Sequence, residues 1–167
     1  MCKLLLTISL FVLASFHKTK INYSIELYIL PNSKSIVKNG LATEFEINNI
    51  DLPTLPFIRD DDIEYYDTSH DKIFISQDAA KRISELKPKL NVGIPFVLTV
   101  DRQPILTGYF WNTVSSFGCT SYVLFNSNDT SQNLLRGLPE YSYVDNIIEK
   151  RRNYFFLQAL ERTGRIK

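Results

Sequence analysis

Two periods of apolar spacing alternate along the chain. At residues 25–30 (IELYIL), Ile25, Leu27 and Ile29 alternate with Glu26, Tyr28 and Leu30, the spacing of a half-buried strand. Pro31, Asn32, Ser33 and Lys34 break it. Residues 36–50 fit either a strand or a segment lying over the sheet, with Phe45, Ile47 and Ile50 as its apolar points. Prolines 31, 53 and 56 argue against a long helix in this region. Residues 63–66 and 72–75 (KIFI) read as a hairpin joined by Thr68, Ser69, His70 and Asp71, which have turn composition.

The period then changes to that of a helix. Ala79, Ile83, Leu86 and Leu90 fall on one face, Ser76 stands as N-cap, and Asp78 complements the positive end of the dipole. This predicts a helix over about 77–87, ended by Pro88 and Gly93. Residues 94–100 (IPFVLTV) are apolar on much of both faces, which places them centrally in a sheet with Pro95 near the strand start. Asp101, Arg102, Gln103 and Pro104 turn the chain, and residues 105–111 (ILTGYFW) return as a strand. Residues 122–125 (YVLF) form a further strand. Residues 126–132 are turn-prone, and Leu134, Leu135 and Leu138 suggest a short helical turn. Val144, Ile147, Ile148, Phe155 and Ala159 mark one stripe of a final helix over about 144–162, with Gly164 past its end. No internal repeat is present. The fold class expected is therefore α+β: an antiparallel or mixed sheet with the 77–87 helix on one face and a C-terminal helix.

The N-terminus changes the picture. Residues 4–16 (LLLTISLFVLASF) form an uncharged apolar run after Lys3, short for a bilayer span and suited to a secretory signal. Ser15 is a mature start after Val12-Leu13-Ala14. Residues 1–16 read as a signal peptide or N-terminal anchor, 17–24 as a linker, and 25–167 as one domain. The location expected is secreted or periplasmic, with membrane association through residues 4–16 if the run is retained. Once it is removed, Cys119 is the single remaining thiol and is expected to be buried.

Composition narrows the function classes. With 19 Lys+Arg against 18 Asp+Glu there is no basic excess to hold nucleic acid. Two Cys and two His are too few for a disulfide framework or a structural zinc cluster. No cofactor is implied.

The order Asp62-Ile63, Tyr66, Ile73-Phe74-Ile75-Ser76, Ala79-Ala80-Lys81-Arg82-Ile83, residues 93–101 (GIPFVLTVD) and Gly108-Tyr109-Phe110-Trp111 resembles small uncharacterised exported bacterial proteins, many of them lipoproteins. It is similar, more distantly, to the β-α-β-β unit of the first periplasmic domain of SecD, the translocon accessory protein. The likeness covers about a third of the chain and is one of core positions. Phe16 stands where a lipoprotein has its acylated Cys, and Asp101-Arg102 stands where the relatives have an Asp-Gly turn. The resemblance implies a small α+β domain outside the cytoplasm and carries no proton-driven export role.

Candidate chemistry is sparse. Asp60, Asp61, Asp62, Glu64, Asp67 and Asp71 offer oxygen ligands of the kind Ca²⁺ takes, but without the Gly and terminal Glu of an EF-hand loop, so a solvated acidic loop or docking patch is expected. His70 with Asp71, Ser115 and Ser116 makes a Ser/His/Asp inventory without a Gly-x-Ser-x-Gly elbow. Tyr109, Phe110, Trp111 and Phe117 suggest a stacking surface, and Tyr109, Trp111 and Phe117 are the ligand-binding candidates. Lys150, Arg151, Arg152 and Arg162 give the last helix a basic side, read as a solvent face or a contact for anionic head groups. Asn22 and Asn128 begin N-glycosylation sequons. The function expected is an exported, non-enzymatic binding or accessory domain for an unknown protein or small ligand, acting through a sheet edge or aromatic patch. The alternatives are a hydrolase built from Asp62, Glu64, Asp67 and His70, and an envelope protein that keeps its leader.

Overall fold

The computed structural model describes residues 23–30, 36–38, 41–43, 50–139 and 147–167, with 36–38, 41, 43 and 147–153 described through the backbone alone. The leader, residues 17–22, Phe45, Ile47 and Val144 lie outside them. In chain order the strands and helices are β1 (Ile25–Ile29), β2 (Ile36–Lys38), β3 (Leu41–Thr43), β4 (Ile63–Asp67), β5 (Lys72–Ile75), α1 (Gln77–Ser84), β6 (Ile94–Val100), β7 (Gln103–Trp111), β8 (Cys119–Phe125), β9 (Ser131–Asn133), β10 (Leu135–Leu138) and α2 (Ile147–Arg162). The fold is α+β.

A mixed seven-stranded sheet runs in the order β1-β6-β7-β8-β3-β2, with β10 added on β8. β6 lies inside it between β1 and β7, as its apolar faces require. The β6–β7 connection is a two-residue turn in which Asp101 (φ 49°) and Arg102 (φ 62°) both adopt left-handed backbone. This is the conformation that Asn-Gly or Asp-Gly ordinarily supplies. Arg102 is held there by its side chain, which donates to the Tyr28 hydroxyl at 3.0 Å and lies over that ring. β8 runs parallel to β7, pairing Gly108 with Tyr122 and Trp111 with Phe125. A second, antiparallel sheet runs β4-β5-β9. Its β4 edge is extended by the C-terminal residues: Tyr66 donates its N–H to Arg165 O at 2.8 Å and accepts from Lys167 N at 2.9 Å. The free edge of β1 is likewise taken, because Leu27 pairs with Ile58.

The main core lies between the sheets and helices. Ile25, Leu27, Phe96, Leu98, Phe110 and Leu124 meet Ile73 and Ile75 of β5, Ala79, Ala80 and Ile83 of α1, and Phe156, Ala159 and Leu160 of α2. α1 begins as its cap predicts: the Ser76 hydroxyl accepts from Ala79 N at 3.2 Å. Burying each large apolar side chain here stabilises by about 1.5–3 kcal/mol.

The other face of the seven-stranded sheet is covered too. Tyr28, Leu30, Val97, Tyr109, Trp111, Cys119 and Val123 cluster there, with Ile50 and Leu52 packed against them. Several sequence-based expectations are corrected by this packing. β1 is not half-buried, since Tyr28 and Leu30 are as enclosed as Ile25. The helix over 77–87 ends at Ser84, and Leu90 lies outside it, half-exposed. Within the leucine cluster, Leu135–Leu138 is strand, not helical turn, because it pairs with β8, and Leu134 N donates to Asp71 O. In α2 the buried stripe is Phe156, Ala159 and Leu160, while Phe155 faces solvent. Tyr23 and Ser24, expected in the linker, belong to the packed domain: Ser24 N donates to Asp101 Oδ1 at 2.8 Å, and Tyr23 packs against the main core.

Cys119 is fully buried, and removal from water pushes its thiol up to about 11. Native protein is expected to leave Cys119 unlabelled by iodoacetamide at pH 8, with labelling appearing only on unfolding. Peptide mapping separates it from Cys2, and rapid native labelling at residue 119 would contradict the burial.

Candidate interaction surface

Two members of the acidic segment, Asp60 and Asp62, form a clasp, while Asp61, Glu64 and Asp71 are exposed. Residues Asp60–Asp62 form a 3₁₀ turn, and Asp62 is 3% exposed. Its Oδ2 accepts from Arg59 N at 2.8 Å, from Arg59 Nε at 3.3 Å and from Arg82 Nη2 at 2.6 Å. Its Oδ1 accepts from the Ser76 hydroxyl at 3.1 Å, so the same carboxylate orients the cap of α1. Burial opposes ionisation of Asp62, but the Arg59 and Arg82 donors and Ser76 outweigh it and hold the carboxyl below its usual range. Asp60 Oδ1 accepts from Ile25 N and from Arg165 Nη2, both at 2.7 Å, tying the first strand and the C-terminus to the turn. Among the described residues, no three His, Cys, Asp or Glu side chains gather as a metal site would need.

Of the residues of the hydrolase alternative, Asp67 and His70 meet, while Asp62 and Glu64 lie apart from them. Asp62 is committed to the clasp, and Glu64 is exposed. Asp67, Ser69 and His70 meet in the β4–β5 turn, but Asp67 Oδ2 and Ser69 Oγ both lie 2.8 Å from the same ring nitrogen, His70 Nδ1. A nucleophile relay needs the hydroxyl and the carboxylate on opposite ring nitrogens. The hydrogen bonds from Ser69 and His70 hold the Asp67 carboxyl down at about 2. These contacts close a surface turn.

One cleft of about 320 Å³ is lined by Tyr66, Thr68, Asp71, Arg136, Phe156 and Leu157. Burial, and the Asp71 carboxylate 2.8 Å away, raise the Tyr66 hydroxyl above its ordinary value, so it serves as a donor and not as a base. A more open cleft of about 280 Å³ is lined by Thr113, Phe125, Ser127, Asp129, Ser131, Gln132 and Asn133.

The aromatic candidates separate. Tyr109 and Trp111 are wholly enclosed, so neither ring is presented to a ligand. The surface expected at these two residues is corrected to a second core, because segment 50–52 and the neighbouring strands cover it. Phe117 is 46% exposed and lies in the same loop region as the exposed Leu90, which the sequence had placed on the α1 face, and Val114, which it had not singled out. Val92 N donates to Lys89 O, closing a tight turn with Leu90 at its corner. Ser115 N donates to Asn112 O at 3.0 Å, closing another with Val114 at its corner. Leu90 is 51% and Val114 80% exposed.

Side-chain hydrogen bonds stitch these two loops together. The Ser115 hydroxyl donates to Leu90 O and accepts from Phe117 N. Asn112 Nδ2 donates to Pro88 O at 3.3 Å, and Asn126 Nδ2 donates to Leu86 O at 3.3 Å. The result is an anchored tip at the end of β7, carrying Leu90, Val114 and Phe117. Turn corners ordinarily take Gly, Asn, Asp, Ser or Pro. Leu90 before Asn91, and Val114 between Asn112 and Ser115, are aliphatic residues in turn-prone sequence, and that much of the signal was available in the sequence. Tyr154 and Phe155 form a separate exposed pair on α2. Arg162 is engaged with the Tyr23 hydroxyl and ring, and the side chains of Lys150, Arg151 and Arg152 lie outside the described residues.

Fold and surface together define a small two-sheet α+β domain with a hydrogen-bonded apolar tip. No family model matches the chain, and no curated protein or solved structure matches it either. No helix among the described residues is long and apolar enough to cross a membrane.

Proposed function

We propose that the chain is an exported binding or accessory domain that works by surface recognition and not by bond chemistry. The apolar run at residues 4–16 and the resemblance to exported bacterial proteins support the location. The tip of Leu90, Val114 and Phe117 carries the reading of activity. These side chains are 46% exposed or more while rings such as Tyr109 and Trp111 are packed away, and the Ser115 hydroxyl hydrogen-bonds the backbones of Leu90 and Phe117. A preorganised apolar cluster loses little conformational freedom on binding. Recognition through the β1 and β4 edges is less favoured than the sequence suggested, since Leu27 and Tyr66 already have backbone partners on the outer side of those strands.

The test places a benzophenone side chain at position 117, and separately at the exposed position 161, in the full chain within its native cell. Irradiation is expected to give a discrete adduct from position 117 and none from 161. N-terminal sequencing of the same material is expected to begin near Ser15. Absence of any adduct from position 117, or an uncleaved cytoplasmic chain, overturns the reading.

A further inference from the structure

We infer that the tip's partner is an anionic lipid surface, into which Leu90, Val114 and Phe117 insert while Lys87 and Lys89 meet the head groups. This inference rests on the surface-recognition reading above and names the partner for it. The first support is charge. Residues 86–93 and 112–118, which build the tip, contain two lysines and no carboxylate. Lys87 and Lys89 are exposed and flank the buried Pro88, which is held by Asn112. Cationic side chains beside an apolar insert are what a negatively charged leaflet attracts.

Shape is the second support. The aliphatic groups stand at turn corners, with Phe117 beside them, and three side chains offer far less than the roughly 1,000 Å² that a specific protein interface requires. Insertion into a fluid leaflet needs no complementary pocket. Ser115 supplies the third support. It uses the Leu90 carbonyl and the Phe117 N–H, so two backbone groups of the tip already have a partner where lipid would offer none. Asn112 Oδ1 does the same for Val114 N at 3.0 Å.

Ser24 is fixed beside Asp101, at the opposite end of β7 from Trp111. Nine residues of strand put these ends about 30 Å apart. A dye at Val114 therefore reports from the end of the sheet opposite Ser24.

The experiment attaches an environment-sensitive nitrobenzoxadiazole dye to Val114→Cys in a full chain carrying Cys2→Ser. Vesicles of phosphatidylglycerol are expected to shift its emission to the blue, and lipids with a spin label in the acyl chain are expected to quench it. Phosphatidylcholine vesicles, or Lys87→Glu with Lys89→Glu, are expected to weaken this partition at least about tenfold, as is raised salt. Leu90→Ser with Phe117→Ser is expected to abolish the blue shift. An unchanged dye in the presence of phosphatidylglycerol, even if the leader drives co-sedimentation, overturns the inference. So does a response of equal strength on phosphatidylcholine. If the dye is silent while position 117 gives a protein adduct in cells, the partner is a protein and surface recognition stands. If both are silent, both fall.

Discussion

Gly108→Ala is expected to destabilise the protein by about 3 kcal/mol or more, a large effect for one added methyl group. A Cβ at residue 108 would lie 2.5 Å from Phe96 Cζ and 2.5 Å from the Tyr122 carbonyl oxygen. Neither neighbour can retreat easily. Phe96 is wholly buried among Phe110 and the main core, and its ring lies 5.1 Å from that of Phe110. Tyr122 O belongs to the backbone of β8, which pairs with β7 at residue 108. Phe96→Leu in the Gly108→Ala background is therefore expected to recover only part of the loss, because the carbonyl remains. Gly164 provides the contrast. It has open space around it but φ of 74°, so Gly164→Ala is expected to cost only about 1 kcal/mol, as backbone strain. Guanidinium denaturation followed by the emission of Trp111, the chain's single Trp, reads all three variants. A Gly108→Ala protein with an unchanged midpoint would show that β7 and β8 lie farther apart than described.

Asp62→Ala is expected to cost about 3 kcal/mol, and Asp62→Asn about half of that. The Arg59 share is small, because the guanidinium side of that pair is exposed and screened. Most of the loss comes from the partly buried Arg82, whose Nη2 loses its carboxylate at 2.6 Å, and from the Ser76 cap, which loses the group that orients it. The pH dependence follows from the lowered carboxyl of Asp62. In the window below about pH 4 the unfolded chain binds the proton and the folded chain does not, so stability rises with pH there. The contribution is present in full above the ordinary carboxylate range and is lost as pH falls through the folded-state value. Asp67, held at about 2, acts in the same direction across the same window. The acid limb of the Asp62→Asn stability curve is expected to be shallower than that of the native protein. Equal slopes from pH 5 to 2 would remove the clasp from the account of stability.

The elements legible in the sequence were those whose evidence is local. The Ser76 cap and the Ala79/Ile83 spacing announce α1 within one turn of chain. The hairpin partners β4 and β5 are separated only by Thr68–Asp71, and the two-faced apolar run at 94–100 can be stable only between other strands. Phe117 was named with Tyr109 and Trp111 as one aromatic group, and the sequence did not separate it from those two buried rings. Leu90 was misassigned to the α1 face because helical spacing continues past Ser84 in the sequence, while the chain leaves the helix at Glu85. The choice between Phe155 and Phe156 could not be made from a stripe whose phase depends on which side of α2 meets Tyr66.

Amino-acid order alone determined the α+β class, the central strand, the capped helix and the burial of Cys119, because periodicity and capping are properties of neighbouring residues. Tertiary structure decided the rest. Asp60 and Asp62 became a clasp only when Arg165 and Arg82, 105 and 20 residues away, were brought to them. Tyr109 and Trp111 became core only when distant segments closed over the second face of the sheet. Leu90, Val114 and Phe117 became one tip only when Ser115 joined two loops 25 residues apart. Burial and charge pairing are set by what arrives from elsewhere in the chain, and no local pattern encodes that arrival.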